Sequence, residues 1–438
     1  MNIILLSGGS GKRLWPLSND IRSKQFIKIF KREDGEYESM VQSMYRRLQK
    51  IDPKGRITVA TSKSQISELK NQLGDDANIS IEPVRRDTFP AIAIAVAYLS
   101  EIQEVGDDEA VIVCPIDSYV DDSYFSALKE LDQLIQKGGS NICLMGKEPS
   151  YPSEKYGYII PKTKDSVSPV LTFKEKPTSA KAAEYIDQGA LWNMGIFGFK
   201  LGYIKERAKE ILGFKDYNDL FAHYEDAKKI SFDYAILENE PSIQVMRFDG
   251  KWDDLGTWES FSSIMEGNTF GKAVIKKCKR VNVINELDIP IVTLGLSDVV
   301  IAASSEGILV SSKEESGRIK SIAEMLESEE VRYAEKSWGE YQVIDVGPDS
   351  LTVAITLTKG HRMSYHSHSH RNEVWTIVSG LGITTVDGMD QHVRPGDVIT
   401  MEAGCRHTIE ALEDLKIIEV QLGRDISVAD KKKYPYER

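Results

Sequence analysis

A glycine-rich turn that directly follows a short apolar segment restricts the fold of this chain more than any other feature. Residues 2–6 are Asn-Ile-Ile-Leu-Leu, a pattern typical of a buried strand, and they lead into Ser7-Gly8-Gly9-Ser10-Gly11-Lys12-Arg13. Glycine has no Cβ, so the backbone N–H groups of such a turn can approach a polyphosphate closely. Lys12, Arg13 and Lys24 place positive charge where a triphosphate would lie. The segment therefore predicts a phosphate-binding turn at the end of a strand in an α/β sheet.

Two familiar phosphate-binding motifs are excluded by single residues of this turn. A Walker A loop requires Ser or Thr after Gly-Lys, whereas Arg13 follows Lys12 here. The dinucleotide-binding fingerprint requires a third glycine three residues after the second, and Leu14 occupies that position. The turn therefore predicts neither a P-loop NTPase nor a dinucleotide-binding domain.

The first 262 residues alternate short apolar strands with helical segments, which predicts a mostly parallel sheet covered by helices on both faces. Ligands of such sheets bind beyond the carboxyl ends of the strands, where the glycine turn also lies. The clearest elements are strands at Ile57–Thr61, Ile79–Glu82, Val111–Cys114 and Ile142–Gly146, and helices at Ala91–Gln103 and Tyr124–Gln136.

The remainder of the chain is rich in β-strand patterns. Residues 263–330 predict a small β-rich extension that is closed by a helix at Gly317–Leu326. Residues 331–438 alternate short strands with turns such as Asp387-Gly388 and Pro395-Gly396, a pattern typical of a sandwich or small barrel. We therefore predict three domains, at 1–262, 263–330 and 331–438.

Composition excludes several classes of protein. The net charge of −12 argues against a broad nucleic-acid-binding surface, so we expect no nucleic-acid partner. No apolar stretch approaches the roughly 18 residues of a membrane-spanning helix, and we expect no membrane association. The cysteines lie far apart in the sequence without a Cys-x-x-Cys pair, which favours reduced thiols and a cytoplasmic location; they are Cys114, Cys143, Cys278 and Cys405.

The glycine turn, together with Lys24-Gln25-Phe26, resembles the signature of the sugar-nucleotide pyrophosphorylases, and within them the mannose-1-phosphate guanylyltransferases. The resemblance implies a Rossmann-like, GT-A-like nucleotidyltransferase domain that transfers GMP from GTP to mannose 1-phosphate. It assigns nucleotide binding to the turn residues Ser7, Gly8, Gly9, Gly11 and Lys12. A second segment, residues 82–91, resembles the part of these enzymes that faces the base and ribose, which assigns nucleotide binding also to Glu82, Arg85 and Asp87.

Two aspartates are candidates for holding Mg²⁺, which prefers carboxylate oxygens. Asp117 follows the predicted strand Val111–Cys114, although the family usually has Asp-His where this chain has Asp117-Ser118. Asp254 lies in a segment, 252–258, that resembles the Trp-x-Asp-x-Gly-x-Trp motif of the family. The resemblance therefore implies a catalytic set of Arg13, Lys24, Asp117 and Asp254.

Further segments resemble the part of these enzymes that holds the sugar phosphate. They are Tyr156-Gly157-Tyr158-Ile159, Phe173-Lys174-Glu175-Lys176-Pro177 and Trp192-Asn193-Met194-Gly195-Ile196-Phe197. The resemblance implies that Gly157 lies close to the hexose, that Glu175 and Asn193 bind it, and that Lys176 binds its phosphate. Each segment alone is common in proteins, but their order along the chain supports the family assignment.

Six of the seven histidines follow residue 360, and their spacing matches the two motifs of the cupins. His366 and His368 would lie on one face of a strand, and Glu373 and His407 would complete a site of mixed nitrogen and oxygen ligands for Zn²⁺ or a similar divalent transition metal. The alternative is a set of exposed loop histidines. The all-β pattern of residues 331–438 favours an all-β cupin barrel.

The same region resembles the type II phosphomannose isomerase domain that is fused to bacterial guanylyltransferases, which implies interconversion of mannose 6-phosphate and fructose 6-phosphate. Three departures weaken this second implication: His366 replaces the usual glutamine, Thr408 replaces the usual arginine, and the tail after Gly423 is only loosely similar. In the second cupin motif, Glu402 replaces the usual proline. The residues therefore favour metal binding more strongly than isomerase activity.

Alternative hypotheses remain at this point. The transferase could use another base or another sugar 1-phosphate, because a few hydrogen bonds decide that choice. The cupin could be a non-catalytic sugar-phosphate sensor or a dimerisation module. An inactive regulatory homologue is disfavoured because Arg13, Lys24, Asp117 and Asp254 are all present. A homodimer is an expectation that rests on the family alone.

Overall fold

The computed structural model describes residues 1–8, 12–19, 21–326, 332–424 and 426–436. The predictions for Gly9, Gly11 and the side chain of Lys12 lie outside the described residues. No helix in these ranges is long and apolar enough to cross a membrane. The described residues form two compact units: the first contains those of Met1–Gly9, Lys28–Ile66 and Gln72–Leu255, and the second those of Ser10–Ile27, Ser67–Asn71 and Gly256–Arg438.

The first unit is built on a sheet that has nine strands among the described residues. Across the sheet they are Asn78–Glu82, Arg56–Ser62, Asn2–Ser7, Ala110–Pro115, Leu191–Lys200, Ile142–Lys147, Ile243–Phe248, Val167–Lys174 and Tyr158–Pro161. The first four strands run parallel to one another. Leu191–Lys200 runs antiparallel to both of its neighbours, and so does Val167–Lys174, whereas Ile142–Lys147 and Ile243–Phe248 pair in parallel. The prediction of a mostly parallel sheet is therefore confirmed, with two antiparallel strands in the second half. The parallel half carries the first strand and the end of Ala110–Pro115.

Helices cover this sheet because their apolar residues are buried against it. Thr88–Glu101 is apolar on almost every side, and its residues 92–97 are at most 1% exposed. Asp122–Lys137 is amphipathic and buries Phe125, Leu128 and Leu131. The other helices of this unit are Met40–Ile51, Ser179–Asp187, Leu201–Leu212, Tyr217–Ala222 and Phe232–Ala235, and Ile66–Leu73 shares its residues between the two units.

Two small strand pairs accompany the sheet in the first unit. Trp252–Asp254 pairs antiparallel with Ser118–Val120, and Phe30–Lys31 pairs with Tyr37–Glu38. The first pair lies just beyond the carboxyl end of Ala110–Pro115, and it brings together two segments that are more than 100 residues apart in the sequence.

The first part of the second unit contains short strands that pair mainly in parallel. They are Thr269–Phe270, Ala273–Lys276, Asn282–Asn285, Ile291–Leu294, Val299–Ser304 and Gly307–Ser312, and only the last two form an antiparallel pair among those described. Helix Trp258–Ser263 precedes them. A turn of 3-10 helix, Glu315–Arg318, and helix Ile319–Met325 follow, in agreement with the predicted closing helix.

The residues that follow the glycine turn pack within the second unit. The indole Nε1 of Trp258 donates to the carbonyl of Trp15 at 3.1 Å, and the hydroxyl of Ser304 donates to the carbonyl of Pro16 at 2.6 Å. A Cβ on Gly307 would lie 2.6 Å from Cζ2 of Trp15. A glycine at position 307 therefore allows close contact with the Trp15 ring.

The rest of the second unit is the predicted all-β barrel, formed by two facing sheets. One contains Tyr333–Lys336, Gly339–Gly347, Ser350–Leu357, Leu415–Leu422, Asn372–Ser379 and Val398–Met401; the other contains Met389–Val393, Gly382–Val386, His407–Ala411, His366–His368 and Lys431–Lys433. In the first sheet, alternate residues such as Leu351, Val353 and Ile355 point inward and are buried. The apolar core includes Trp375, Ile377 and Ile409.

Candidate functional site

The two predicted magnesium ligands belong to neighbouring segments of the first unit. Asp254 stands opposite Ser118 in the antiparallel pair, so it is one residue out of register with Asp117. Directly opposed residues of such a pair have Cα atoms about 4.5–5.5 Å apart, which puts the two carboxylates in the same neighbourhood. Asp117 is half-buried and Asp254 is exposed. This arrangement suits Mg²⁺, which takes few protein carboxylates and completes its shell with phosphate oxygens and water.

The two predicted catalytic cations belong to the second unit. Arg13 is exposed in a turn of 3-10 helix, Lys12–Leu14. Lys24 is half-buried and begins a second such turn, Lys24–Phe26, whose Gln25 and Phe26 are buried. The predicted catalytic set is therefore divided, with both cations in one unit and both carboxylates in the other.

Two of the residues predicted to bind the nucleotide, Ser7 and Glu82, end parallel strands that are separated in the sheet by Arg56–Ser62. Ser7 is buried at the end of the first strand, and Gly8 is exposed after it. The carboxylate of Glu82 accepts hydrogen bonds from the backbone N–H of Arg86 at 2.8 Å and from the hydroxyl of Tyr224 at 3.0 Å. Burial raises the pKa of Glu82 above its usual value. Glu82 thus has partners within the protein, and its nucleotide contact stays a prediction.

Asp87 and Arg85 lie beside the start of helix Thr88–Glu101. The side chain of Asp87 accepts from the backbone N–H of Thr88 at 2.8 Å, which caps the helix. The helix thus begins three residues before the predicted Ala91, because this cap lies further upstream. The N–H groups of its first turn have partners within the protein: those of Thr88 and Ala91 donate to Asp87, and that of Phe89 donates to the carbonyl of Ile230.

The residues predicted to hold the sugar come together in the first unit, from three successive segments of the sequence. A Cβ on Gly157 would lie 2.6 Å from Oε2 of Glu175 and 3.3 Å from Cβ of Asn193. The backbone N–H of Asn193 donates to the carbonyl of Gly157 at 2.8 Å. The ammonium of Lys176 contacts the carboxylate of Glu175. These side chains form a small polar cluster around Gly157, which we call the polar pocket, and an added Cβ at Gly157 would have no room there.

A further polar residue of this pocket, Asp233, was missed by the sequence reasoning. Its carboxylate accepts a hydrogen bond from Nδ2 of Asn193 at 2.9 Å. Burial, followed by the nearby charge of Glu175, raises the pKa of Asp233 to about 7. Asp233 lies in a short helix, Phe232–Ala235, and no motif among those quoted from the sequence marks it.

Aromatic rings pack between neighbours of the polar pocket and the segment that carries Asp254. The ring of Tyr156 lies 4.8 Å from that of Trp192 and 5.7 Å from that of Trp252, measured between centroids. Burial and the charge of Asp254 raise the pKa of Tyr156. The phenol therefore stays protonated and can donate a hydrogen bond at neutral pH.

The four predicted cupin ligands converge inside the barrel of the second unit. His366, His368, Glu373 and His407 are all buried, and one possible ligand atom from each lies within 4.8 Å of the others. Nδ1 of His366 lies 2.6 Å from the carbonyl of Ser364, and Nδ1 of His407 lies 3.1 Å from that of Cys405. These bonds leave Nε2 of both rings as the ligand atom, an arrangement common in metal sites.

The chemistry of the four groups fits a divalent transition metal. Burial lowers the pKa of His366 to about 2 and that of His368 to about 4, so both imidazoles are neutral, the form that binds metals. Oε2 of Glu373 and Nε2 of His407 are buried and have no hydrogen-bond partner among the described residues. An ion between them would satisfy atoms that are otherwise costly to bury.

A cavity of about 270 Å³ is lined by His366, His368 and Glu373, and its wall also includes charged residues that the sequence reasoning did not assign to a site. Burial raises the pKa of Glu419 to about 7, and burial lowers that of Lys431 to about 8. Arg371, also in the wall, donates to Glu373 at 2.9 Å and lies 3.0 Å from Nε2 of His368. Lys431 was missed because it lies in a three-lysine strand, Lys431–Lys433, which carries no apolar pattern.

Comparison with known sequences finds two families in the order of the two folds. The sequence model of the nucleotidyl transferase family matches residues 2–269. That of the mannose-6-phosphate isomerase C-terminal domain matches residues 324–434.

Relatives of similar length cover nearly the whole chain. A mannose-1-phosphate guanylyltransferase from Klebsiella pneumoniae is 28% identical over 96% of this chain and 95% of its own. The xanthan biosynthesis protein XanB from Xanthomonas campestris pv. campestris (strain B100) is 30% identical over the same shares of the two chains. The crystal structure of a protein described as mannose-1-phosphate geranyltransferase, from Thermus thermophilus, superimposes with a TM-score of 0.62 at 26% identity, over 75% of this chain and 99% of that one.

Proposed function

The chain belongs to the nucleotidyl transferase family, and from this premise we propose that it is a mannose-1-phosphate guanylyltransferase, which transfers GMP from GTP to mannose 1-phosphate and releases pyrophosphate. Relatives that bear this name align along 96% of the chain. The observation that carries the proposal is the convergence of Gly157, Glu175 and Asn193 in one polar pocket. These residues come from three separate segments of the sequence, and together they offer hydrogen-bonding groups of the kind that hexose hydroxyls require.

The reaction requires little covalent chemistry from the protein. A phosphate oxygen of mannose 1-phosphate attacks the α-phosphorus of GTP in line, the new P–O bond forms, and pyrophosphate leaves. A phosphate dianion is already a nucleophile, so no general base is needed. The protein must hold two anions together and neutralise their charge. We assign Arg13 and Lys24 to the triphosphate and Lys176 to the phosphate of the sugar.

We further propose that Asp117 and Asp254 hold Mg²⁺. When bound, this ion supplies the charge neutralisation and phosphate alignment that nucleotidyl transfer requires. Tyr156 stays protonated beside Asp254 and can orient that carboxylate through its hydroxyl. On the side of the base, we assign Arg85 and Asp87 to nucleotide contacts, together with Ser7 and Gly8.

For the barrel we propose a bound divalent transition metal, Zn²⁺ or similar, held by His366, His368, Glu373 and His407. When bound, it would polarise a sugar oxygen as a Lewis acid. The adjoining cavity is lined by Arg371, Lys431 and Glu419, which suits an anionic sugar. Interconversion of fructose 6-phosphate and mannose 6-phosphate is therefore the activity proposed for this domain, and a non-catalytic sugar-phosphate sensor is the second candidate.

The deciding experiment measures pyrophosphate release by the purified protein with Mg²⁺, mannose 1-phosphate and each nucleoside triphosphate in turn. Release with GTP supports the proposal. Release with another triphosphate would keep the mechanism and change the nucleotide, and release with none of them would overturn the proposal for mannose 1-phosphate. A separate assay of fructose 6-phosphate conversion, with the metal present and after chelation, distinguishes an isomerase from a sensor.

Two further proposals concern the cellular location and the oligomeric state of the protein. The described cysteines form no disulfide, and we propose a cytoplasmic protein. A homodimer is also proposed, and light scattering coupled to size-exclusion chromatography tests it directly.

A further inference from the structure

We propose that Asp233 is a positioning residue of the hexose subsite, where its carboxylate fixes the side-chain amide of Asn193 for a sugar hydroxyl. The inference rests on the proposed function, because it assumes that the pocket around Asn193 holds the sugar 1-phosphate. It adds a residue that lies in none of the sequence segments assigned to the sugar.

Both ends of the Asn193 amide have partners that determine its orientation. Nδ2 donates to Oδ1 of Asp233 at 2.9 Å, and Oδ1 accepts from the backbone N–H of Gly195 at 3.1 Å. The N–H of Gly195 is a donor only, so it requires the oxygen end of the amide, and the nitrogen end is then left to face Asp233. A side-chain amide has two N–H groups and two lone pairs. One N–H and one lone pair of Asn193 therefore stay available for a ligand hydroxyl.

The surrounding fold holds Asp233 in place. The preceding residue, Phe232, is fully buried, and its ring stacks on that of Phe197 with centroids 4.6 Å apart. The backbone N–H of Phe232 donates to the hydroxyl of Thr88 at 2.8 Å. Ser231 caps the short helix by accepting from the N–H of Tyr234. The backbone at Asp233 is thus anchored on both sides, so its carboxylate is held beside Asn193.

The charge arrangement is unfavourable for folding, which supports a functional role. Asp233 lies near a second carboxylate, Glu175, and only one cation, Lys176, contacts that carboxylate among the described residues. Burial and Glu175 together raise the pKa of Asp233. Like charges that are held together in a pocket are typical of ligand-binding and catalytic sites. Sugar hydroxyls could take up the acceptor capacity of both carboxylates.

The test is a double-mutant cycle read in the Michaelis constants of the two substrates. Asn193→Ala and Asp233→Ala should each raise KM for the sugar 1-phosphate by about tenfold and leave KM for the triphosphate within about twofold. The double variant should be no worse than Asn193→Ala, since Asp233 acts through Asn193. Asp233→Asn should restore a KM close to that of the wild type, because its amide oxygen can still accept from Asn193.

A matched control is Asp132→Ala in the same unit. Asp132 is also a buried aspartate that accepts from a side-chain amide, that of Gln136 at 2.7 Å, and its loss should leave both KM values unchanged. If Asp233→Ala does not fold, Asp233→Ser, which is too short to reach Asn193, takes its place in the cycle. Additive effects, an equal rise in KM for the triphosphate, or an unaffected KM would overturn the inference.

A result that overturns the proposed function differs from one that overturns only the role of Asp233. The cycle uses the sugar 1-phosphate that the wild type turns over, so a sugar other than mannose changes the proposed function and leaves the role of Asp233 testable. A wild type that is inactive with every sugar 1-phosphate overturns both. An active wild type with an unaffected Asp233→Ala variant overturns the inference alone.

Discussion

Nε2 of His407 lies 3.1 Å from Oε2 of Glu373, and the two residues come from opposite sheets of the barrel. Both atoms are buried and have no hydrogen-bond partner among the residues that the structure describes. The barrel thus brings an imidazole and a carboxylate together with their ligand atoms unsatisfied. A bound metal ion would stabilise this arrangement and link the two sheets.

The first prediction follows from this pair. Replacement His407→Ala removes one of four ligands, so the bound metal should fall from about one ion per chain to a small fraction of that. Elemental analysis of the purified, metal-loaded protein measures it. Transferase activity should change little. His392→Ala, an exposed histidine of the same barrel, is the control, and equal metal content in the two variants would contradict the assignment.

The two carboxylates that we propose as Mg²⁺ ligands give a second prediction. Asp117→Ala or Asp254→Ala should reduce pyrophosphate release by about two orders of magnitude or more, because charge on the transferred phosphoryl group is no longer neutralised. The melting temperature should stay close to that of the wild type, since Asp254 is exposed and Asp117 half-buried. Asp253→Asn, an exposed neighbour, should keep most of the activity. Near-normal turnover in the Asp117 and Asp254 variants would show that other residues hold the ion.

A third prediction concerns the space beside Gly157. An alanine there would place its Cβ 2.6 Å from Oε2 of Glu175 and 2.9 Å from Cζ of the buried Phe173. Glu175 can rotate away from the added Cβ, but it then leaves the position proposed for sugar binding, so KM for the sugar 1-phosphate should rise about tenfold. The crowding should also lower the free energy of unfolding by about 1–3 kcal/mol. Steady-state kinetics and thermal unfolding measure the two effects.

The control for this variant is Gly317→Ala, whose added Cβ would have Thr257 as its nearest neighbour, at 4.0 Å. It should leave both KM values unchanged. An unchanged KM in Gly157→Ala would mean that the hexose does not occupy this pocket.

The sequence predicted the elements whose apolar pattern is regular and missed those that depend on long-range pairing. The strand at Ala110–Pro115 and the helix at Asp122–Lys137 were found within one or two residues, because buried strands and amphipathic helices carry clear periodicities. The antiparallel direction of Leu191–Lys200 leaves no trace in its own sequence. Strand direction is set by the connections between strands, which local patterns do not show.

Site residues that lie in sequence motifs were predicted, and site residues that depend on tertiary packing were missed. The motif residues Gly157, Glu175 and Asn193 were found from the sequence, and the structure brings them together. Asp233 was missed because its place in the pocket depends on how Phe232 packs in the core. Lys431 was missed because a strand of three lysines has a charge pattern typical of a solvated segment. Asp233 and Lys431 were therefore identified only from the tertiary structure.

The last prediction concerns pH and the buried carboxyl group of Glu419. Burial and the nearby charge of Glu373 raise the pKa of Glu419 to about 7, whereas an exposed glutamate has a pKa of about 4.3. Between these values the folded protein keeps a proton that the unfolded chain has lost, so the free energy of unfolding falls as the pH rises. The destabilisation should be absent below about pH 4 and should keep growing until the pH passes about 7.

Glu419→Gln removes this titration and keeps an acceptor for Nε1 of Trp375, which donates to Glu419 at 2.9 Å. In metal-free protein, the melting temperature of the variant relative to the wild type should therefore rise from pH 5 to pH 8, by an amount on the order of several degrees. Glu402→Gln, an exposed glutamate of the same barrel, should show a constant difference across this range. A constant difference for Glu419→Gln as well would mean that Glu419 is ionised in the folded protein at pH 5, so that its burial would have to be offset by a cation, for which Lys431 in the cavity wall is the candidate.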